Sequence, residues 1–173
     1  MKTTVADIRL AEPEDASDLA AVHDAAWRNA YSGIIPNRTL NAMVARRGSS
    51  WWSRALKRGA AILVLDFDGT VAGYATLGRN RAEALPVEGE IYELYLQPEF
   101  QGIGFGRRLF GAARQFLAQR GFHGLAVWSL TENDRAMAFY SSLGGYDIAE
   151  GEERFEDRKM RKIAFIWPET DRA

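Results

Sequence analysis

Gln101-Gly102-Ile103-Gly104-Phe105-Gly106 is the stretch of the chain most obviously able to do chemistry. Glycines at alternate positions let a backbone approach a ligand closely and expose its N–H groups. The stretch separates a segment of strand character, Glu90 to Leu96, from one of helical character, Gly104 to Arg120. Its N–H groups therefore merge with the unpaired donors at a helix N-terminus, which together make a cradle for a phosphate or pyrophosphate. Arg107 and Arg108 follow at once. Cations in the first turn of a helix oppose its dipole, by about 0.3–1 kcal/mol each, and a bound polyanion would reverse that cost. For Arg108 a plain solvated surface position explains the residue equally well. Two familiar phosphate loops fit poorly. A P-loop needs Lys and then Ser or Thr after its last glycine, where Arg107-Arg108 stand. The dinucleotide fingerprint would put its third glycine at Arg107, and Leu125 to Leu130 lacks the acid that should follow it.

Composition limits what else the chain can do. It has no cysteine, so disulfides, thiolate metal sites and a cysteine nucleophile are excluded. His23 and His123 are its only histidines, which argues against a multi-histidine centre, and no metal is expected. The 22 Lys plus Arg balance 23 Asp plus Glu, so nothing points to nucleic acid as a partner. No run of about 18 apolar residues is present to span a membrane. Asp7 and Arg9 interrupt the N-terminal segment from Met1 to Ala11, which therefore lacks a signal-peptide core. A cytoplasmic protein is expected.

The elements that would position the loop follow from periodicity. Val5 to Leu10 suggests a first strand, and a helix from Pro13 to about Tyr31 carries Leu19, Val22, Ala26 and Ala30 on its core face. Helical stretches follow from Pro36 and over Trp51 to Arg58. Ala61 to Leu65 and Val71 to Leu77 form a hairpin around Asp68-Gly69. After the Glu90 strand and the Gly104 helix come a strand at Leu125 to Leu130 and a helix capped by Asn133. Tyr146 to Glu150 and Met160 to Trp167 close the chain as strands. The order is that of one mixed α/β domain spanning residues 1–173, without repeats or linkers.

Two motifs together resemble a known family. The glycine loop matches the Gln/Arg-x-x-Gly-x-Gly/Ala signature of the GNAT superfamily of N-acetyltransferases, with Leu94-Tyr95-Leu96-Gln97-Pro98 as its lead-in. Asn133-Asp134-Arg135-Ala136-Met137-Ala138-Phe139-Tyr140, then Leu143-Gly144, resembles the second family motif, in the usual order and separation. The resemblance implies a mixed, mostly antiparallel sheet flanked by helices and splayed open at a cofactor cleft. It implies acetyl-CoA as cosubstrate, with its pantetheine arm along the backbone of Leu94, Tyr95 and Leu96. Its pyrophosphate would lie on Gln101, Gly102, Ile103, Gly104, Phe105, Gly106 and Arg107. Asn133 would touch the cofactor, cap its helix, or do both.

Acetyl transfer to an amine needs a base for the amine and benefits from an acid for the departing thiolate. Glu90 lies eleven positions before Gln101, where similar enzymes carry a glutamate base. Strand alternation puts Glu90 with Tyr92, Leu94 and Leu96, and Glu93 on the opposite face with Ile91 and Tyr95, which leaves Glu93 as reserve. Tyr140, seven residues after Asn133, matches the family's tyrosine acid; a core aromatic is its other reading. His23, Trp27 and Tyr31 are spaced four apart on the first helix, which covers the acceptor pocket in similar enzymes. They suit a small amine, by cation–π contact among other means, or else pack on the second helix. The expected partner is a small-molecule amine, with a peptide amine or a non-catalytic acyl-CoA-binding role as alternatives. The closing strands offer edges through which two copies could pair.

Overall fold

The computed structural model describes residues 5–156 and 158–169; the Met1 to Thr4 part of the N-terminal reading lies outside them. A seven-stranded sheet runs in the order β1-β2-β3-β4-β5-β7-β6. Its strands are β1 Ala6–Leu10, β2 Ile62–Phe67, β3 Thr70–Arg79, β4 Gly89–Leu96, β5 Leu125–Leu130, β6 Tyr146–Phe155 and β7 Arg158–Trp167. The helices are α1 Ala16–Tyr31, α2 Asn37–Arg46, α3 Ser49–Lys57, α4 Phe105–Gln119 and α5 Asp134–Ser142. All neighbouring strands are antiparallel except β4 and β5. This is the mixed α/β domain that the element order implied, with the mostly antiparallel sheet that the family resemblance implied.

Two boundaries differ from the sequence reading. Pro13–Asp15 is a separate 3₁₀ turn, and α1 starts only at Ala16. Asp15 is the cause: its carboxylate accepts from the Glu12 N–H at 2.7 Å and is gripped by Arg9 at 2.7 Å. Such a side-chain bond to the backbone stabilises a turn in place of a helical start. At the other end, β6 extends to Phe155 instead of stopping at Glu150. Its second half is too charged to look like a strand, yet those charges stabilise it by pairing with β7. Glu150 meets Arg161 at 2.9 Å and Glu153 meets Lys162 at 2.9 Å, the cross-strand pairing that favours a ladder.

One face of the sheet is covered by α4, whose Leu109, Phe110, Ala113 and Leu117 pack on Leu65, Ala75, Leu77 and Ile91. The opposite face carries α1 and α3, with Leu19, Val22 and Trp52 against Val64 and Tyr74. There α2 meets the β6–β7 tip, with Leu40 and Val44 grouped with Phe155 and Met160.

The decisive local feature is a bulge in β4. Thr76 pairs with Glu93 but Leu77 pairs with Ile91, so Tyr92 is the extra residue. A bulge shifts every later side chain to the other face. Ile91, Leu94 and Leu96 therefore all belong to the core under α4. Glu90, Glu93 and Tyr95 share the α1–α3 face. This corrects the expectation that strand alternation separates Glu90 from Glu93 and pairs Glu90 with Leu94 and Leu96.

Candidate active site

The parallel strands β4 and β5 touch only at Gly89–Leu125 and Glu90–Ala126. Beyond that vertex they part, leaving the outer edge of β4 without a strand partner. The gap opens into a cleft of about 870 Å³. One wall consists of Leu94, Tyr95 and Leu96 with Gln101, Gly102, Gly104, Gly106 and Arg107. The other consists of Asn133, Asp134, Arg135, Ala136, Phe139 and Tyr140, and Ala26, Asn29, Ala30 and Ile34 close one end.

The glycines in the first wall serve two purposes. Gly102 and Gly104 have φ of +77° and +91°, and a Cβ on either would meet nothing. Their requirement is thus conformational: they turn the chain through the left-handed region where the loop lines the cleft. Gly106 is needed for space, because a Cβ there would lie 3.2 Å from the Phe139 ring, where α4 approaches α5. The Gln101 amide donates to the Leu96 carbonyl at 3.3 Å. Its carbonyl oxygen accepts from the Arg135 guanidinium across the cleft. The side chain of Ile103 is exposed, and that of Phe105 packs on Phe67 and Phe100, so only the backbones of these two residues belong to the loop. Arg108 turns away and donates to the Ala6 carbonyl at 3.0 Å, which is a structural task.

In the second wall, Asn133 caps α5, its side chain accepting from the Ala136 N–H at 3.2 Å. Tyr140 lines the cleft although it is nearly buried, against Phe110, Phe139, Phe165 and Trp167. Burial pushes its phenol well above the usual value, with Tyr31 adding to the shift. It is therefore protonated at neutral pH.

On the other face of β4 the carboxylates are already engaged. Glu90 is 1% exposed and sits at the vertex. It accepts from the Arg81 backbone N–H at 2.9 Å and from its guanidinium at 2.7 Å. Glu93 is held by both ends of Arg47, at 2.8 and 2.6 Å. The Arg47 guanidinium lies 4.2 and 4.7 Å from the ring centres of Trp51 and Trp52. Neither carboxylate lines the cleft. His23 is fully buried, its ring centre 4.9 Å from that of Trp27, with no hydrogen-bond partner on either ring nitrogen among the described residues. Burial, aided by Arg47, pushes its pKa down to about 3. The Tyr31 hydroxyl meets that of Tyr95 at 2.8 Å.

Residues 20–145 match the Acetyltransferase (GNAT) family model, well over half of the chain. The chain belongs to the GNAT acetyltransferase family. It is 33% identical over 163 residues to the uncharacterized N-acetyltransferase YuaI of Bacillus subtilis, covering 94% of this chain and 92% of that protein. It is 34% identical over 108 residues to the mycothiol acetyltransferase of Kocuria rhizophila, covering 61% of this chain but 35% of that protein. Its fold matches the PaiA N-acetyltransferase of Thermoplasma acidophilum, solved in complex with coenzyme A, with a TM-score of 0.73 at 19% identity over 92% of this chain and 98% of that one.

Of the residues singled out in this GNAT chain, Gln101, Gly102, Gly104 and Gly106 of the loop, Leu94 to Leu96, Arg107, Asn133 and Tyr140 come together on one cleft, whereas Ile103 and Phe105 are not part of its lining. Glu90, His23, Trp27 and Tyr31 lie beyond its lining, and Tyr31 reaches it through Tyr95 and Asn133. Trp128 packs with the cluster of Ala126 and Ile166, under Lys162. The sequence reading missed Arg135 as a cleft residue, and Arg47 and Arg81 as partners of the carboxylates. Arg135 carried a usable signal: like Arg107, it is a cation in the first turn of its helix. Arg47 and Arg81 carried none, since neither a salt bridge between distant segments, as for Arg47, nor one across an irregular loop, as for Arg81, has a fixed spacing.

Proposed function

We propose that this GNAT enzyme transfers an acetyl group from acetyl-CoA to the primary amine of a small molecule, directly within a ternary complex. The observation that carries the reading is the single cleft that has a glycine anion cradle on one wall and Tyr140 on the other. The residues present suit the donor. Left-handed glycines and the α4 N-terminus match a pyrophosphate, and the unpartnered β4 edge at Leu94 to Leu96 matches an amide-bearing arm that adds like a strand. The mycothiol acetyltransferase relative favours a small acceptor over a peptide. The cysteine-free chain suits the reducing cytoplasm.

In this reading the neutral amine attacks the thioester carbon, a C–N bond forms and the C–S bond breaks. Tyr140 donates a hydrogen bond to the departing sulfur. Because burial raises its pKa above its ordinary value near 10, and thiols have a reference pKa of about 8.5, full proton transfer to the thiolate is uphill. Hydrogen bonding is therefore the main service, and the amine's own proton completes the thiol. Glu90, through water, takes the earlier proton, the one whose loss turns the arriving ammonium into the neutral amine, once Arg81 gives way. Of the two clasped carboxylates it is the one that can open. The Arg81 side chain is 67% exposed, whereas Arg47 is 19% exposed and stacked on tryptophans. An acceptor ammonium arriving at the vertex replaces the Arg81 charge.

Free-thiol release across a panel of primary amines tests the activity. Turnover is expected for at least one small amine. Tight acetyl-CoA binding without turnover for any amine would favour a non-catalytic acyl-CoA module. Tyr140→Phe should lower kcat about tenfold to a hundredfold, the worth of a hydrogen bond to a charged group, with acetyl-CoA affinity unchanged. An unchanged kcat would remove the tyrosine from the chemistry.

A further inference from the structure

We propose that Arg135 is a cross-cleft phosphate latch: held by Gln101 in the free chain, it swings onto the pyrophosphate of the acyl donor and draws α5 toward the glycine loop. The proposal rests on the acetyl-CoA reading above. Its first support is position. Arg135 lies on the α5 wall, and its only side-chain hydrogen bond among the described residues crosses the cleft to the carbonyl oxygen of Gln101, the first residue of the loop. Gln101 in turn is tied to the Leu96 carbonyl. One chain of contacts thus joins β4, the loop and α5 over the cleft. A charged guanidinium on a neutral amide is a weak pairing beside a phosphate, whose two unbridged oxygens accept two parallel charge-assisted bonds.

The second support is the matching placement of two cations. Both helices that flank the cleft carry an arginine in their first turn, Arg107 in α4 and Arg135 in α5. Each opposes its own helix dipole. Both face the same cleft, and no ion pair engages either among the described residues. Bulk charge does not favour an anion here, because Glu132 and Asp134 line the cleft as well. A dianion between the two helix starts instead satisfies both arginines at once. When it binds, Gln101 loses Arg135 but keeps Leu96, so the loop stays anchored while α5 moves.

The test compares Arg135→Gln and Arg135→Lys with the parent protein, using acetyl-CoA, 3′-dephospho-acetyl-CoA and S-acetylpantetheine as donors with one accepted amine. Arg135→Gln should raise KM for acetyl-CoA and its 3′-dephospho form alike, by about tenfold or more. It should leave kcat/KM for S-acetylpantetheine unchanged, because that donor has no phosphate. Arg135→Lys should recover part of the loss. An equal fall for all three donors would mean that Arg135 only holds α5 in place. A loss confined to donors with the 3′-phosphate would overturn the assignment to the pyrophosphate. No loss at all would overturn the latch. Failure of the parent to bind acetyl-CoA would instead defeat the underlying functional reading.

Discussion

On the α4–α5 side of the split sheet, glycine backbone and two helix starts supply polarity beside Arg107 and Arg135, which no ion pair engages among the described residues; on the α1–α3 side it is supplied by side chains locked in pairs. The α4–α5 side has left-handed glycines and two helix starts, and it requires few partners to hold its shape. The α1–α3 side is a mesh in which Arg47 grips Glu93, Arg81 grips Glu90 and the tryptophans enclose His23. A backbone wall suits a donor whose phosphates and amides recur from one turnover to the next. A side-chain wall can be remodelled for different acceptors, but each of its charges must be neutralised where it sits.

The sharpest way to break this comparison is to treat the two carboxylates alike. Glu90→Gln should lower kcat/KM by about 10²–10⁴ in steady-state kinetics, the range for loss of a general base. Glu93→Gln should lower stability instead, by about 3 kcal/mol in urea unfolding, because Arg47 is left without its counter-charge among aromatic rings. If Glu93→Gln abolishes activity while leaving stability intact, the roles are reversed.

A smaller effect probes the interior of the side-chain wall. His23 is neutral in the fold, with its pKa pushed down to about 3, and titrates near 6.5 when unfolded. The unfolded chain therefore binds the extra proton first. The contribution is fully present above pH 6.5 and is lost as pH falls toward 3, at about 1.4 kcal/mol per pH unit. Unfolding free energies measured from pH 7 to 5 should show this slope, and His23→Leu should remove it. An identical slope in the variant would mean that the imidazole is solvated.

The smallest effect belongs to the backbone wall. Gly106→Ala places a methyl 3.2 Å from the Phe139 ring. The gain in helix propensity, about 1 kcal/mol, offsets the crowding. Thermal stability should barely change, while acetyl-CoA affinity falls severalfold as α5 is pushed off the loop.

The same contrast explains what was legible in the sequence. Gly102, Gly104 and Asn133 announce themselves, because left-handed turns and helix caps have their own residue preferences at fixed offsets. The order of elements was legible from hydrophobic periodicity. The β4 bulge was not: no residue type marks Tyr92 as the extra one, and that single insertion brought Glu90 and Glu93 to one face. Nor was the second half of β6, whose charges resemble a loop until β7 lies beside them. His23, Trp27 and Tyr31 form the predicted stripe, but burial depends on what α2 and α3 bring against α1, which spacing alone does not encode.

Amide chemical-shift mapping during titration with acetyl-CoA tests the central claim most directly. The account predicts the largest shifts at the N–H groups of Leu96, Gly102, Gly104, Gly106, Arg107 and Asn133, with His23, Trp27 and Arg47 nearly unmoved. Shifts concentrated in α1–α3, with a silent glycine loop, would contradict it.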